Sequence, residues 1–176
     1  MPAFPGAGGS ITNDILDASL TPRFIQPTTF SEITGKKTNR TQQLSQIFKH
    51  ARIPFQQVNN MHIWQLCHLG MVVPLADAYY QTEYPESVGQ DKLMMKNTAK
   101  ELKHNFKIIY ENLHTLSPFK MHIFQLLPIP ILTYILSQTY KSCFGYTFMY
   151  QHAIKAPDEM KELYNQFYSY IKEWRL

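Results

Sequence analysis

The stretch 95-MKNTAKELKHNFKIIYENLHTL-116 indicates a long amphipathic helix. Its apolar residues recur at alternating spacings of four and three, which places their side chains on one face of an α-helix. These residues are Met95, Ala99, Leu102, Phe106, Ile109, Leu113 and Leu116. Because lysine and glutamate occupy the other faces, we expect this helix to pack its apolar seam against neighbouring helices.

Helical patterns continue on both sides of this stretch. An apolar face from Ile63 to Ala78 predicts a helix with a kink at Pro74. Ser117 and Pro118 predict the N-cap and first residue of a further helix. The sequence after residue 60 therefore predicts an all-helical region.

Two proline-containing segments indicate where the remaining helices begin. Pro128 and Pro130 predict a break, after which a helix resumes at Ile131. Pro157-Asp158-Glu159 predicts the start of the last helix, with proline at the first helical position and acids at the positive end of the dipole. We expect its core face to contain Met160, Leu163, Tyr164, Phe167, Tyr170, Ile171 and Trp174. The aromatic run 144–150 is interpreted as a helical or turning segment rather than a strand.

The first 60 residues have a different character. Phe24-Ile25-Gln26 and Thr28-Thr29-Phe30 predict two strands split by Pro27, and Ile53–Val58 predicts a third. Apolar residues at helical spacing predict a helix over Asn39–Ala51. The expected order is strand, strand, helix, strand, which is too little for a stable sheet domain by itself.

A glycine-rich segment, Phe4-Pro5-Gly6-Ala7-Gly8-Gly9, precedes these elements. A dinucleotide fingerprint needs G-x-G-x-x-G after a strand, but Ile11 occupies the third position here. The Gly-Lys-Ser/Thr of a Walker loop is absent as well. We therefore interpret Gly6, Gly8 and Gly9 as a turn or loop, and we expect no cofactor site in this segment.

Composition narrows the class of protein. The 176 residues are 44% hydrophobic and 17% charged, which is typical of a globular chain. The net charge of +4 is mild, and the cluster Lys36, Lys37 and Arg40 is interpreted as a solvated turn, so no nucleic-acid partner is expected. Cys67 and Cys143 are not in a C-x-x-C motif, and the histidines show no i, i+4 pairing, so no disulfide framework or metal site is predicted.

The most apolar run, Ile123 to Leu136, contains two prolines and is too short to span a bilayer. The first ten residues show neither the basic nor the apolar region of a signal peptide. These features predict a soluble cytoplasmic protein with no membrane partner. A peripheral membrane protein that uses Phe119 to Leu136 is the rival interpretation.

Four segments carry a resemblance to a known family. They are Phe4–Gly9, Pro27–Gly35, Trp64–Leu75 and Asp158-Glu159-Met160. In this order and spacing the chain resembles the second half of the ketopantoate reductase (2-dehydropantoate 2-reductase) family. The resemblance implies a mainly α fold. Residues 1–60 would be a remnant of a Rossmann-type sheet, and residues 61–176 a helical domain similar to the C-terminal domain of 6-phosphogluconate dehydrogenase.

The same resemblance implies a function. Family members reduce a small 2-keto acid with NADPH, and their helical domain contributes substrate contacts and often a dimer interface. The family's catalytic lysine falls at Gln65 or Leu66, depending on the alignment, so no catalytic residue is expected here. NADPH would bind to a separate nucleotide-binding half rather than to this chain, and we expect a homo-oligomer that is inactive alone.

Three side chains are candidates for substrate binding. Gln65 and His68 are three residues apart and share a helix face, so they could line a cleft. Glu159, at the start of the last helix, lies where the family holds substrate. The alternatives are that His68 is buried in a helix interface and that Glu159 merely stabilises a helix start. At the level of the whole chain, the alternative is a non-enzymatic helical module for self-association or small-ligand binding.

Overall fold

The structure, a computed structural model, describes residues 1–174, apart from the side chains of residues 9 and 10. The chain is mainly helical, with a small three-stranded sheet near its N-terminus. It divides into two compact units, Met1–Trp64 and Gln65–Leu176.

The described residues form five strands and seven α-helices. In chain order, the strands are β1 (Ala3–Phe4), β2 (Ala7–Thr12), β3 (Ile15–Leu20), β4 (Thr28–Phe30) and β5 (Phe55–Gln57). The helices are α1 (Asn39–His50), α2 (Met61–Tyr80), α3 (Lys92–Leu113), α4 (His122–Leu126), α5 (Ile129–Lys141), α6 (Gln151–Lys155) and α7 (Pro157–Glu173). Short 3₁₀ turns cover Pro85–Gln90 and Phe119–Met121, and a π-helical segment covers Gly145–Tyr150.

The sheet of the first unit has the strand order β1-β4-β5. Strand β4 pairs antiparallel with β1 and parallel with β5, with α1 as the connection between the two parallel strands. The rings of Phe30, Phe48 and Phe55 lie 5.8 to 6.1 Å from one another, and they join the helix to the sheet. The predicted strands at Thr28–Phe30 and within Ile53–Val58, and the helix between them, are confirmed.

A buried carboxylate fixes the start of α1. Glu32 accepts hydrogen bonds from the hydroxyl of Thr38, at 2.6 Å, and from Nε and Nη2 of Arg40. Thr38 is also the N-cap of α1 and exchanges capping hydrogen bonds with Thr41. The hydrogen bonds from Arg40 and Thr38 lower the pKa of Glu32 to about 2.

The predicted strand at Phe24–Gln26 is wrong. The carbonyl oxygen of Pro22 accepts hydrogen bonds from the backbone N–H groups of Ile25 (2.9 Å) and Gln26 (3.1 Å), which closes a turn. A turn that uses these N–H groups locally leaves them unavailable for a strand ladder. The β-branched and aromatic composition of this segment is therefore overridden by its local hydrogen bonds.

The interpretation of Gly8 and Gly9 as a turn is also wrong, because both lie in strand β2. The reversal comes later, at Asn13 and Asp14, which have positive φ angles of 51° and 61°. Asparagine and aspartate tolerate this conformation, and two such residues make the hairpin turn that suits twisted strands. Gly6 does lie outside the strands, and a Cβ there would stand 2.4 Å from the carbonyl oxygen of Gln26.

The β2–β3 hairpin has one apolar face. The register pairs Ala7 with Leu20 and Ile11 with Leu16, and directly opposed residues point to the same side. Ala18 lies on the same side, and all five apolar side chains of this face are exposed. Thr12, Asp17 and Ser19 are among the residues of the opposite face. We name the first face the hairpin apolar face; it consists of Ala7, Ile11, Leu16, Ala18 and Leu20.

The second unit is built around α3. Its buried residues include Met95, Ala99, Leu102, Phe106 and Ile109, so the predicted seam is confirmed from Met95 to Ile109. The helix ends at Leu113, which is half-buried, because His114 takes a positive φ of 53°, and Leu116 is buried beyond the helix. The break near the two prolines is confirmed as well, since α4 ends and α5 begins there. The last helix starts at Pro157 as predicted, and the segment 144–150 is helical.

The predicted cap at Ser117 is wrong. Its backbone N–H donates to Sγ of Cys67 (3.4 Å), and Pro118 occupies the N-cap position of the following 3₁₀ turn. Ser117 therefore contacts α2 through its backbone instead of beginning a helix as its N-cap.

The described residues contain no single helix that is long and apolar enough to cross a membrane. By length and composition, Phe119–Leu126 and Ile129–Lys141 pass that test only together, and they are bent by 118° at the break between them.

Candidate functional site

The three side chains predicted to bind substrate lie in different environments. Gln65 is exposed on α2, whereas His68, one turn later, is buried. Glu159 is exposed in the first turn of α7. The structure thus presents Gln65 and Glu159 to solvent, and it places His68 in the interior of the helical unit.

Burial decides the charge of His68. Desolvation, with a smaller contribution from the nearby His152, lowers the pKa of His68 to about 4. At neutral pH its imidazole is therefore uncharged, with one nitrogen that donates and one that accepts a hydrogen bond. A neutral imidazole of this kind is a poor general acid at pH 7, because the protonated form is rare.

A second polar group in α2 was not predicted from the sequence. Pro74 lies inside the helix and has no backbone N–H, so the carbonyl of Gly70 loses its usual partner four residues later. The side-chain amide of Asn105 supplies the missing donor, since its Nδ2 lies 3.2 Å from the Gly70 oxygen. Asn105 is completely buried in the apolar seam of α3.

The same amide group links α3 to the last helix. Nδ2 of Asn105 also donates to the hydroxyl of Tyr168, at 3.2 Å. The Tyr168 hydroxyl in turn donates to Oε1 of Glu101. Burial and this hydrogen bond to Glu101 raise the pKa of Tyr168 well above its ordinary value. We name Gly70, Glu101, Asn105 and Tyr168 the Asn105 network.

One atom of the network has unused capacity. Oδ1 of Asn105 is buried and has no hydrogen-bond partner within residues 1–174. A buried acceptor that stays unpaired lowers the stability of the folded state by about 1 to 3 kcal/mol. Oδ1 can accept one more hydrogen bond, and a small donor that bound there would remove this cost. Chemically, the network joins the Gly70 carbonyl, the Asn105 amide and the Tyr168 hydroxyl to the Glu101 carboxyl group, and such groups can orient a hydroxyl or an amide.

Gly70 allows the three helices to come close together. A Cβ at this position would lie 3.0 Å from Cδ1 of Ile109 on α3 and 3.5 Å from Cζ of Phe167 on α7. The missing side chain brings the Gly70 carbonyl within reach of Asn105. The glycine and the proline of α2 therefore act together in positioning the network.

The two cysteines differ in environment. Cys67 is buried next to His68 in α2, and burial raises the pKa of its thiol to about 11, although the N–H of Ser117 lowers it slightly. Cys143 is exposed. Across the described part of the chain, no group of three or more His, Cys, Asp and Glu side chains could hold a metal ion.

No known protein family, curated protein or solved structure matches the chain. Two signals in the sequence could have found the Asn105 network. One is the asparagine placed between Leu102 and Ile109 on an apolar seam, and the other is the proline within a long helix, which requires a donor for the carbonyl four residues earlier.

Proposed function

We propose that this chain is the C-terminal, substrate-binding and dimerisation portion of a ketopantoate-reductase-like, NADPH-dependent oxidoreductase. The observation that carries the proposal is the parallel pairing of β4 with β5 across α1, followed directly by a helical unit. Parallel strands joined through a helix are the building unit of a Rossmann-type sheet. In this proposal the helical unit has the fold of the 6-phosphogluconate dehydrogenase C-terminal domain.

The substrate class follows from the resemblance and from the exposed face of α2. A small 2-keto acid presents a carboxylate and a carbonyl, and both accept hydrogen bonds. Gln65 offers two amide donors to solvent at the position where the family has its catalytic region. His68, neutral and buried beneath this surface, supports the helix rather than supplying a proton.

Catalysis by this chain alone is not expected. Neither Gln65 nor Leu66 can deliver a proton as the ammonium of lysine does. The G-x-G-x-x-G fingerprint does not occur in the sequence, so NADPH would be held by a separate nucleotide-binding half. The chain then contributes substrate contacts and association between subunits.

Binding of a 2-keto acid tests the proposal. Ketopantoate is titrated into the full chain while backbone amide resonances are recorded by NMR, and we expect shifts in the first turns of α2. Gln65→Ala is expected to weaken binding about tenfold, because a hydrogen bond to a charged group is lost. Gln138→Ala, an exposed glutamine on α5, is the matched control.

The outcomes separate the proposal from its alternatives. NADPH is added to the same sample, and its fluorescence is expected to stay unchanged at micromolar concentrations. Tight NADPH binding would contradict the assignment of cofactor binding to another chain. If ketopantoate produces no shifts at all, the substrate-binding role is refuted.

A non-enzymatic module for self-association is the second candidate function. The hairpin apolar face favours it, because exposed apolar residues that are contiguous on one side of a hairpin are typical of an interaction surface. An isolated two-stranded hairpin is at best marginally stable in water, so a partner that covers this face would also stabilise the strands. The partner in this case is a second copy of the chain.

A further inference from the structure

Another apolar surface lies where α4 and α5 meet. Its exposed residues share an aliphatic or aromatic character and come from the 3₁₀ turn, from α4 and from the first turns of α5. They are Phe119, Ile123, Leu126, Ile131, Tyr134 and Ile135. We name this set the α4–α5 corner. Phe119 and Leu126 are 83% and 80% exposed, so these side chains protrude rather than contribute to the core.

The corner rests on a rigid support. Nζ of Lys103 donates to the carbonyl oxygens of Gln125 (2.5 Å) and Leu127 (2.6 Å), which end α4. The ring of Phe124 stacks on Phe106 of α3 with 4° between the planes, at 5.1 Å. Because the chain is held from beneath at the bend, the outward side chains are presented by a fixed framework.

The stretch of sequence that forms the corner has charged residues of one sign. No aspartate or glutamate occurs in residues 112–157, a stretch that contains the whole corner. Lys120, Lys141 and Lys155 are the charged residues of that stretch, and each is exposed. Exposed apolar groups flanked by lysine, with a tyrosine among them, are the composition of segments that lie in the interface of an anionic membrane.

We propose that the α4–α5 corner docks on the surface of an anionic lipid bilayer. The corner does not span it, because α5 with 13 residues is about 20 Å long and the hydrocarbon core is about 30 Å thick. The bend of 118° places the end of α4 and the start of α5 at the apex, where Leu126 and Ile131 enter the interface. Lys120 and Lys141, which lie on the same 3₁₀ turn and helix as the corner, bind lipid headgroups.

Charge favours a lipid surface over a second copy of the chain. Two copies that met through this corner would bring lysines together with no carboxylate from residues 112–157 to neutralise them. An anionic bilayer supplies the opposite charge and an apolar layer in the same place. This inference is independent of the proposed reductase relationship, since it rests on a different surface.

Vesicle flotation tests the inference with the full chain. We expect the protein to float with vesicles of phosphatidylcholine containing phosphatidylserine and to stay behind with phosphatidylcholine alone. Phe119→Glu and Leu126→Glu should each lower the partition coefficient at least about tenfold, because apolar area is lost and a charge is added. Leu93→Glu, which changes a leucine that is 68% exposed on α3, should leave binding unchanged.

A further variant measures the contribution of charge. Lys141→Gln should reduce binding about fivefold. Lys37→Gln and Lys49→Gln, in the other unit, should have little effect. Circular dichroism establishes that each variant is folded.

Three results would overturn the inference. The first is that the original chain does not float with anionic vesicles, and the second is that Leu126→Glu floats as well as the original chain. The third is that the original chain forms a dimer without vesicles and that Leu126→Glu abolishes this dimer. The last result would assign the corner to a second copy of the chain.

Discussion

Asn105 is a fully buried polar side chain that joins three helices of the helical unit. Its Nδ2 hydrogen bonds join α2, α3 and α7, and they replace a backbone hydrogen bond that Pro74 cannot make. A polar side chain is stable in a core when it forms hydrogen bonds with buried polar groups that would otherwise be unpaired.

Asn105→Leu is expected to destabilise the helical unit by about 1 to 3 kcal/mol, because two buried acceptors lose their donor while one unpaired acceptor, Oδ1, is removed. The substitution keeps the volume but leaves the Gly70 carbonyl and the Tyr168 hydroxyl without their donor. Urea unfolding followed by the helical circular dichroism signal measures the change, and Asn97→Leu, exposed on the same helix, is the control. Equal stability of Asn105→Leu and the original chain would show that the Gly70 carbonyl has another partner.

His68 should make stability depend on pH. Its pKa is about 4 in the folded state and about 6.5 when unfolded, so the unfolded chain binds a proton that the folded chain excludes. Stability is then complete above pH 6.5 and falls towards pH 4, by up to about 1.4 kcal/mol per pH unit. His68→Gln should flatten this slope between pH 6.5 and 5 in urea titrations.

The exposed His50 provides the control for this slope, through His50→Gln. A slope that persists in full in His68→Gln would assign the pH dependence to another group.

At the scale of elements, α1 depends on a carboxylate outside it. Glu32 is only 6% exposed, and it holds both the N-cap residue Thr38 and the first-turn residue Arg40. The pKa of Glu32 is lowered to about 2, below the ordinary value of 4.5. Its contribution is therefore present above pH 4.5, and it is lost as the pH falls towards 2.

Glu32→Gln should loosen the start of α1 at neutral pH. The amides of residues 39–42 are expected to lose protection against hydrogen exchange in this variant, with each rate divided by the intrinsic rate at the same pH. The further loss of protection that acid causes in the original chain should be smaller in the variant. Asp17→Asn, an exposed acid of the same unit, serves as the comparison. Unchanged exchange at neutral pH in Glu32→Gln would mean that Thr38 and Thr41 cap the helix unaided.

The elements that the sequence predicted share one property. In α3 and α7 the apolar residues recur with the helical period, which places them on one face of each helix. That face is buried, as Met95 and Leu102 of α3 and Phe167 of α7 show. The β2–β3 hairpin was missed because its glycines resembled a loop and because no core residue marks it. Its turn depends on Asn13 and Asp14, a weaker signal than Asn-Gly.

The candidate site was less accessible to sequence reasoning. Gln65 and His68 were found through a resemblance, and their helix was predicted, but the exposure of one and burial of the other depend on neighbouring helices. The contact between Gly70 and Asn105 joins residues 35 positions apart. The periodicity of one helix does not indicate which backbone carbonyl of another helix a given side chain will contact.

At the scale of the whole molecule, the two units contain unlike surfaces. The first contains the hairpin apolar face, and the second contains the acid-free α4–α5 corner. Self-association and lipid binding can therefore be separated by substitutions that affect only one of the surfaces.

Self-association is expected through the hairpin apolar face. Leu16→Asp should shift sedimentation towards the monomer, with a dimer dissociation constant at least about tenfold higher, because a charge replaces a leucine that is 67% exposed on that face. Ile15→Asp makes the same kind of change one residue away on the opposite face, and it should have little effect. A clean monomer at tens of micromolar for the original chain would contradict this prediction.

Because the two cysteines lie in different environments, the chain can be labelled with a thiol reagent at a single site. Thiol reagents attack the thiolate, which Cys67 hardly forms at pH 7 because of its raised pKa, while Cys143 is open to solvent. A maleimide fluorophore will therefore attach at Cys143, just after the end of α5, without any cysteine having to be removed. Energy transfer from that dye to a labelled bilayer would then report the distance of the helical unit from the lipid in the unmodified sequence.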